Sequence, residues 1–311
     1  MKVLVAGATG AIGRQLVPRL VAAGHEVTGM TRSAGKRDVV AELGATPVVA
    51  DALDPDQVAS AVAEAEPEAI IHQLTALTGI NPRKLEQSFA LTNRLRTEGT
   101  DHLLSAGRAA GVRRFVAQSF AGWPYARIGD PIKTEEDPLD SDPPDEVRKM
   151  IEAIRHLERA VTEADWTEGV VLRYGGFYGP GTSLAPGGEQ LEPIRKRRFP
   201  IVGEGTGYFS LVHVADAADA TALALERGAP GIYNVADDDP ATAREFLTVV
   251  SEELGVGKPR RIPRWLGRLF AGEAGVVMMT EVRGVSNEKA KRELGWEPKH
   301  PTWRGNLVTG R

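Results

Sequence analysis

The chain of 311 residues contains no cysteine, which excludes disulfides, thiolate nucleophiles and cysteine-held metals and makes a cytoplasmic address the simplest expectation. No apolar run approaches the ~20 residues of a membrane span. The apolar stretch after Met1 is broken by Gly7 and Gly10 and reads as a strand rather than a secretion signal. Charge of one sign is not in excess. With 38 Lys and Arg against 42 Asp and Glu, the net charge of −4 draws the chain to neither nucleic acid nor an anionic membrane, so the expected partner is a small molecule. The six histidines lack the i, i+4 pairing of a helical zinc site, and no metal is expected. Internal repeats and long low-complexity tracts are also missing.

What is present begins with glycine. Gly7-Ala-Thr-Gly10-Ala-Ile-Gly13 follows the apolar run Lys2–Val5 and opens a segment with helical spacing, Ile12, Leu16, Val17 and Leu20 being apolar with Arg14, Gln15 and Arg19 between. A strand turning directly into a helix in this way is a dinucleotide cradle. Gly7 permits the tight reversal, Gly10 lets backbone approach a pyrophosphate, and Gly13 lets the helix pack on the sheet, with its free amides aimed at the phosphates.

Further apolar runs (26–30, 46–50, 69–73, 114–118, 169–174) alternate with helical periods near 11–23, 36–43, 55–65, 83–110 and 146–164. This alternation predicts an α/β fold of the Rossmann type: a doubly wound parallel sheet with a smaller interleaved C-terminal substrate lobe. The expected nucleotide domain is 1–178, with 211–236 returning to it. The Gly- and Pro-rich segments place 179–210 and 237–311 in the smaller lobe. Asp54-Pro55 and Asn81-Pro82 read as helix starts. The acidic stretch 130–146 reads as a solvated loop, with a substrate lid as the alternative.

The second strand runs into Thr31-Arg32-Ser33 and then Lys36 and Arg37, with no acid at its end. An acid there would hold ribose hydroxyls. A basic residue accepts a 2′-phosphate, so Arg32 predicts NADP(H). Asp51, at the end of the third strand, is placed to accept from the adenine amino group.

Taken in order, these segments are similar to the extended branch of the short-chain dehydrogenase/reductase superfamily, which contains NAD(P)-dependent epimerases and dehydratases. The likeness covers nearly the whole chain. Besides the glycine loop and Asp51-Ala-Leu-Asp54, it rests on Ile70-Ile71-His72, on Gly99-Thr100 and Gly111 leading into Phe115-Val116, and on Arg173-Tyr-Gly-Gly-Phe-Tyr178-Gly179-Pro180. Val212-His213-Val214-Ala215-Asp216, Tyr233-Asn234-Val235 and Leu294-Gly295-Trp296-Glu297-Pro298 follow in the expected order. The resemblance implies a cofactor lying against Gly7, Thr9, Gly10, Ala11, Ile12, Gly13, Arg32, Asp51, Ala52, Leu74, Thr75, Gln118, Tyr174, Gly176 and Phe177. It also implies homodimerisation through the two long helices.

The family's reaction is hydride transfer, with a Tyr as proton donor and a Lys one helical turn later that lowers its pKa and holds the nicotinamide ribose. This chain has no Tyr-x-x-x-Lys: its tyrosines at 125, 174, 178, 208 and 233 are followed four residues on by Gly129, Tyr178, Thr182, Val212 and Asp237. Aligning the helix on Leu157-Glu158 puts Met150 and Ile154 in the two places. Arg96 stands where an asparagine is expected, and Ser119 remains from the usual tetrad. The candidate catalytic residues are therefore Ser119, Tyr178, Tyr174 and Tyr125. His72 and His213 read as core or strand-end histidines.

For a sugar nucleotide, an arginine is expected where Phe209 stands. Phe120, Trp123, Tyr125, Phe177 and Tyr208 instead suggest an apolar pocket, of which Phe120, Trp123 and Tyr208 are the substrate candidates. The apolar set Trp265, Leu266, Leu269, Phe270, Val276, Val277, Met278 and Met279 could serve as lid, lobe core or subunit contact. The expected function is an NADPH-dependent reductase of a small, mainly apolar carbonyl or enone with a non-standard proton donor. The alternatives are an NADP(H)-binding sensor without turnover, or a redox-neutral dehydratase or cyclase.

Overall fold

Seven parallel strands form the central sheet in the order Gly231–Val235, Glu168–Tyr174, Arg114–Phe120, Ala69–His72, Lys2–Ala6, Glu26–Thr31, Thr46–Val49. The computed structural model describes residues 1–77 and 79–307. Each predicted strand run is present within two residues of its expected ends, and the order is that of a doubly wound nucleotide-binding fold.

Alternation along each strand covers both faces. Val3, Val5, Ile71, Val116 and Leu172 pack on one side with Leu16, Val17 and Leu20 of the helix Ala11–Ala22 and with the helix Val214–Glu226. Leu4, Ile70, Phe115 and Val171 pack on the other with Leu103, Leu157 and Val161. A third core is built from Leu211, Phe246, Leu247, Val276, Met279 and Trp303 among others.

Three sequence expectations change. The predicted helix 83–110 is two helices, Leu85–Arg96 and Glu98–Ala109, broken at Thr97. The Thr97 hydroxyl donates back to the Asn93 carbonyl at 3.1 Å, a local bond that competes with helix continuation. The stretch 130–146 is not a solvated loop throughout: Ile132–Lys133 pairs in parallel with Gly284–Val285, buried Lys133 donates to Asp137, and Asp140 accepts from Arg127. The apolar set at 265–279 splits at Gly272, whose φ of +70° kinks the helix Arg264–Thr280. Trp265, Leu269 and Phe270 are exposed before the kink, whereas Val276, Val277 and Met279 are buried after it.

Candidate active site

Parallel sheets bind ligands beyond the carboxyl ends of their strands, and the glycine loop sits there. Gly7 has a φ of +97°, and a β-carbon on it would stand 2.7 Å from the Gln73 carbonyl oxygen; one on Gly13 would stand 2.4 Å from the Gly7 carbonyl oxygen. Any side chain at either position would close the turn. Gly10 precedes the helix Ala11–Ala22 without a side-chain cap, so its first-turn amides and dipole remain open. Buried Gln73 donates to the Tyr174 hydroxyl at 3.3 Å and keeps Oε1 unpartnered beside this loop. This cradle of backbone amides fits a diphosphate.

Thr9, Gly10, Ala11, Ile12 and Gly13 are brought together at the turn, and Arg32 follows the neighbouring strand end, exposed and free of hydrogen bonds and ion pairs among the described residues. Asp51 is half-buried and its carboxylate accepts from the Leu53 amide, so it shapes the turn that carries Ala52. The helix start nearby is capped by Asp54, as expected, which accepts from the amides of Asp56 and Gln57. Leu74 and exposed Thr75 follow the strand Ala69–His72, and Gln118 lies half-buried near the end of the next strand. Phe177 and Tyr174 form a tilted ring pair at 5.4 Å, with Gly176 between them at the paired edge of Gly176–Tyr178 and Leu211–His213.

The candidate proton donors are all engaged elsewhere. Tyr174 is fully buried, its hydroxyl 2.6 Å from that of Thr221. Tyr178 donates to the carbonyls of His300 and Thr302, away from the glycine loop. Tyr125 donates to Asn234 Oδ1 at 2.7 Å and accepts from Arg173 at 2.7 Å. Burial raises all three phenols, Tyr125 and Tyr174 to about 12. These environments hold the proton on the oxygen. Ser119 is buried too, and its hydroxyl donates to Glu158 at 2.7 Å.

Glu158 also accepts twice from Arg173, at 2.7 and 2.6 Å, with both partners almost wholly buried. This chain from Ser119 through Glu158, Arg173 and Tyr125 to Asn234 crosses the three strands at one end of the sheet. Of these residues, sequence reasoning places only Ser119 and Tyr125 in the site. The signal for the rest was available: Glu158 falls on the apolar face of its helix, and Arg173 interrupts a run of apolar residues.

Where a Tyr and a Lys are expected, Met150 and Ile154 are buried at 2% and 0% exposure. They pack with Leu85, Ile151 and Ala274, against which half-buried Phe120, Trp123 and Phe89 lie. Phe120 and Trp123 are thus brought together. Tyr208 instead joins a small-lobe strand pair with Thr242, and its neighbour Phe209 packs on Phe246 at 5.6 Å. Buried Arg96, at the end of the helix Leu85–Arg96, makes no hydrogen bond or ion pair among the described residues, and Nη1 has no partner. Burial lowers its guanidinium to about 10, so it stays charged.

His213, Asp216 and His300 also meet, each offering one ligand-type atom within 4.8 Å of the others. The histidine rings stack at 3.8 Å, and Asp216 accepts from the His300 backbone amide, tying the C-terminal segment to the helix Val214–Glu226. His213 caps that helix and His72 lies buried at its strand end, both as expected.

Among the described residues no helix is long and apolar enough to cross a membrane. Residues 3–236 match the model of the NAD dependent epimerase/dehydratase family. The chain is 44% identical over 308 residues to a 3-diazoavenalumate denitrifying reductase from a Streptomyces species, covering 99% of each. It is 27% identical to a 4-hydroxy-2-methyl-3-oxo-4-farnesyl-3,4-dihydroquinoline-1-oxide ketoreductase of Stigmatella aurantiaca, covering 95% of this chain and 92% of that one. Among solved structures, the UDP-glucose 4-epimerase of Thermus thermophilus in complex with NAD superposes with a TM-score of 0.74 at 28% identity, over 100% of this chain and 98% of that one. The chain therefore belongs to the NAD-dependent epimerase/dehydratase family and is an oxidoreductase of the short-chain dehydrogenase/reductase type.

Proposed function

We propose that this protein is an NADPH-dependent reductase of a mainly apolar, conjugated substrate and that it works without a proton from a tyrosine. The observation that carries the reading is the closed apolar face of Met150 and Ile154 beside Phe120 and Trp123. Neither side chain can donate a proton or hold a charge, and the hydroxyls of Tyr125, Tyr174 and Tyr178 are engaged by Asn234, by Thr221 and Gln73, and by the His300 and Thr302 carbonyls. Such a site suits an acceptor that can take a hydride and then shed charge by itself. NADPH, when bound, supplies a hydride, and a diazo carbon that accepts it releases dinitrogen with the bonding electron pair, so the protein need supply no proton.

The activity named for the 44% identical relative, a denitrifying reductase of a diazo compound, supports this acceptor class over simple carbonyls. In this scheme the amides of residues 11–13 hold the diphosphate, while Phe120 and Trp123 orient the flat substrate and exclude water. Exposed, unpaired Arg32 at the second strand end supports NADPH over NADH.

The test is fluorescence titration with NADPH, followed by loss of nicotinamide absorbance across a panel of aryl diazo, quinone, enone and ketone acceptors. Oxidation by diazo or quinone acceptors is expected. Tight NADPH binding without oxidation by any acceptor would instead support a nucleotide-binding sensor. Arg32→Ala should weaken NADPH about tenfold more than NADH, and equal losses would overturn the cofactor preference.

A further inference from the structure

We propose that Arg96 is an anion-binding group of the crevice, holding an oxygen of the conjugated substrate that is, or becomes, negatively charged. The inference rests on the reductase reading and names the kind of substrate: one carrying a phenolate or an enolate-like oxygen conjugated to the carbon that takes the hydride.

The argument starts from unmet bonding. Among the described residues three arginines are buried, Arg96, Arg114 and Arg173. Arg114 donates to the carbonyls of Ala224, Arg227 and Gly228 and to Glu168. Arg173 is held by Glu158 and Tyr125. Arg96 alone of the three has no acceptor among the described residues, although it is only 4% exposed. Glu158 is near enough for its charge to be felt at Arg96, but its oxygens are already taken by Arg173 and Ser119. Asn93, one turn earlier on the same helix, keeps Oδ1 buried and unpartnered as well. A buried guanidinium without a counter-charge is costly unless an anion joins it.

Position gives the second part. Thr92 and Thr100, on either side of Arg96, bond to the Ala76 amide at 3.0 Å and to His72 at 3.1 Å, so this helix end lies by the carboxyl end of the strand Ala69–His72, where ligands bind. The family resemblance leads one to expect a lysine at Ile154 and an asparagine at Arg96. The cation has thus moved from the helix Asp145–Thr162 to the end of the helix Leu85–Arg96. Among the described residues no tyrosine hydroxyl is bonded to it. Its planar donors suit a fixed anionic oxygen. A neutral ring with an oxo group beside its diazo carbon fits this arrangement: addition of hydride and departure of dinitrogen leave a phenolate, whose charge Arg96 would meet.

The source of the anion could be the substrate oxygen or a phosphate of the dinucleotide, and the experiment separates the two. The probe is 4-nitrophenol, whose phenolate is visible by absorbance, titrated into the NADPH-loaded protein and into its Arg96→Met and Arg96→Lys variants. The unaltered protein should bind the phenolate and lower the apparent pKa of the probe by about one unit. Arg96→Lys should keep most of that shift. Arg96→Met should lose it and bind the probe about tenfold more weakly, with NADPH affinity unchanged within about twofold. Equal probe binding and ionisation in Arg96→Met would overturn the proposal, as would a loss confined to NADPH affinity. If Arg96→Met does not fold, Arg96→Gln takes its place with the same expectations. The probe needs no turnover, so a failure of hydride transfer bears on the reductase reading and leaves this measurement readable.

Discussion

Replacing Glu158 by Gln isolates one charge in a polar network whose ion pair is 4% and 6% exposed. Glu158 accepts three short bonds, two from Arg173 and one from Ser119, and both partners of its ion pair are nearly inaccessible to water. Glutamine preserves size and one acceptor oxygen, but its amide group turns hydrogens toward a guanidinium that has lost its counter-charge. Breaking a buried pair from one side costs about 3–5 kcal/mol. At roughly 2 °C per kcal/mol for a chain of this length, the thermal midpoint should fall by about 6–10 °C. The control is Glu98→Gln, which breaks a pair of similar geometry with Arg94 whose side chains are half exposed. Exposed pairs on one helix contribute about 0.3–0.5 kcal/mol, so that variant should be almost silent. Urea and thermal unfolding followed by circular dichroism supply both numbers. If Glu158→Gln loses no more than about 1 kcal/mol beyond the control, the network does not carry the stability argued for it. Removing both charges, by Glu158→Met with Arg173→Met, should cost less than removing one.

Ser119→Ala should lower stability by about 1–2 kcal/mol while leaving NADPH oxidation within about threefold, because its hydroxyl is spent on Glu158. A loss of turnover far larger than that would return Ser119 to the substrate. His72 is held down to about 4 from 6.5, first by burial and then by the Arg96 charge. The unfolded chain therefore takes up a proton between pH 6.5 and 4 that the folded one refuses, and stability, complete above pH 6.5, should fall by about 3 kcal/mol across that window. His72→Asn should flatten this slope in urea titrations. Asp237 behaves oppositely: burial, with Asp239, Asp238 and Asp216 nearby, raises its carboxyl to about 8. The folded state keeps a proton that the unfolded state loses, so stability declines as pH rises from 3.8 to 8. Asp237→Asn should therefore be the more stable protein at about pH 8, and an unchanged urea midpoint there would refute the assignment.

The strand-to-helix turn was legible because three glycines at fixed spacing leave one backbone path, and the Asp54 cap because a single carboxylate before a proline reports itself locally. Features that depend on partners far away in sequence were not. Nothing near Ile132–Lys133 announces pairing with Gly284–Val285, and the split of residues 265–279 into an exposed and a buried half turns on the conformation of Gly272. His300 lies 84 residues beyond Asp216, too far along the chain for any spacing rule to join it to the His213 and Asp216 pair. Between the helices Leu85–Arg96 and Asp145–Thr162 lies a groove lined by Glu86, Arg94, Lys149, Glu152 and Arg159, and Lys149 and Glu86 pair across it at 2.6 Å, a pairing of distant residues that local spacing does not reveal.

Ser119 shows why position in a strand differs from position in a site. Both residues at the end of the strand Arg114–Phe120 meet the helix Asp145–Thr162: Ser119 is bonded to Glu158, whereas half-buried Phe120 lies with Trp123 against Met150 and Ile154. A serine read as facing the substrate is in this way exchanged for a phenylalanine. Met150 and Ile154 extend the same substitution across the crevice, and among the described residues the buried arginine without an acceptor is Arg96. Such a wall can position a flat apolar molecule and meet a negative oxygen, yet it has no group poised to protonate one. Under the function proposed above, such a wall would serve hydride delivery to an acceptor that discards its own electrons, in contrast to a site built around a tyrosine and a lysine.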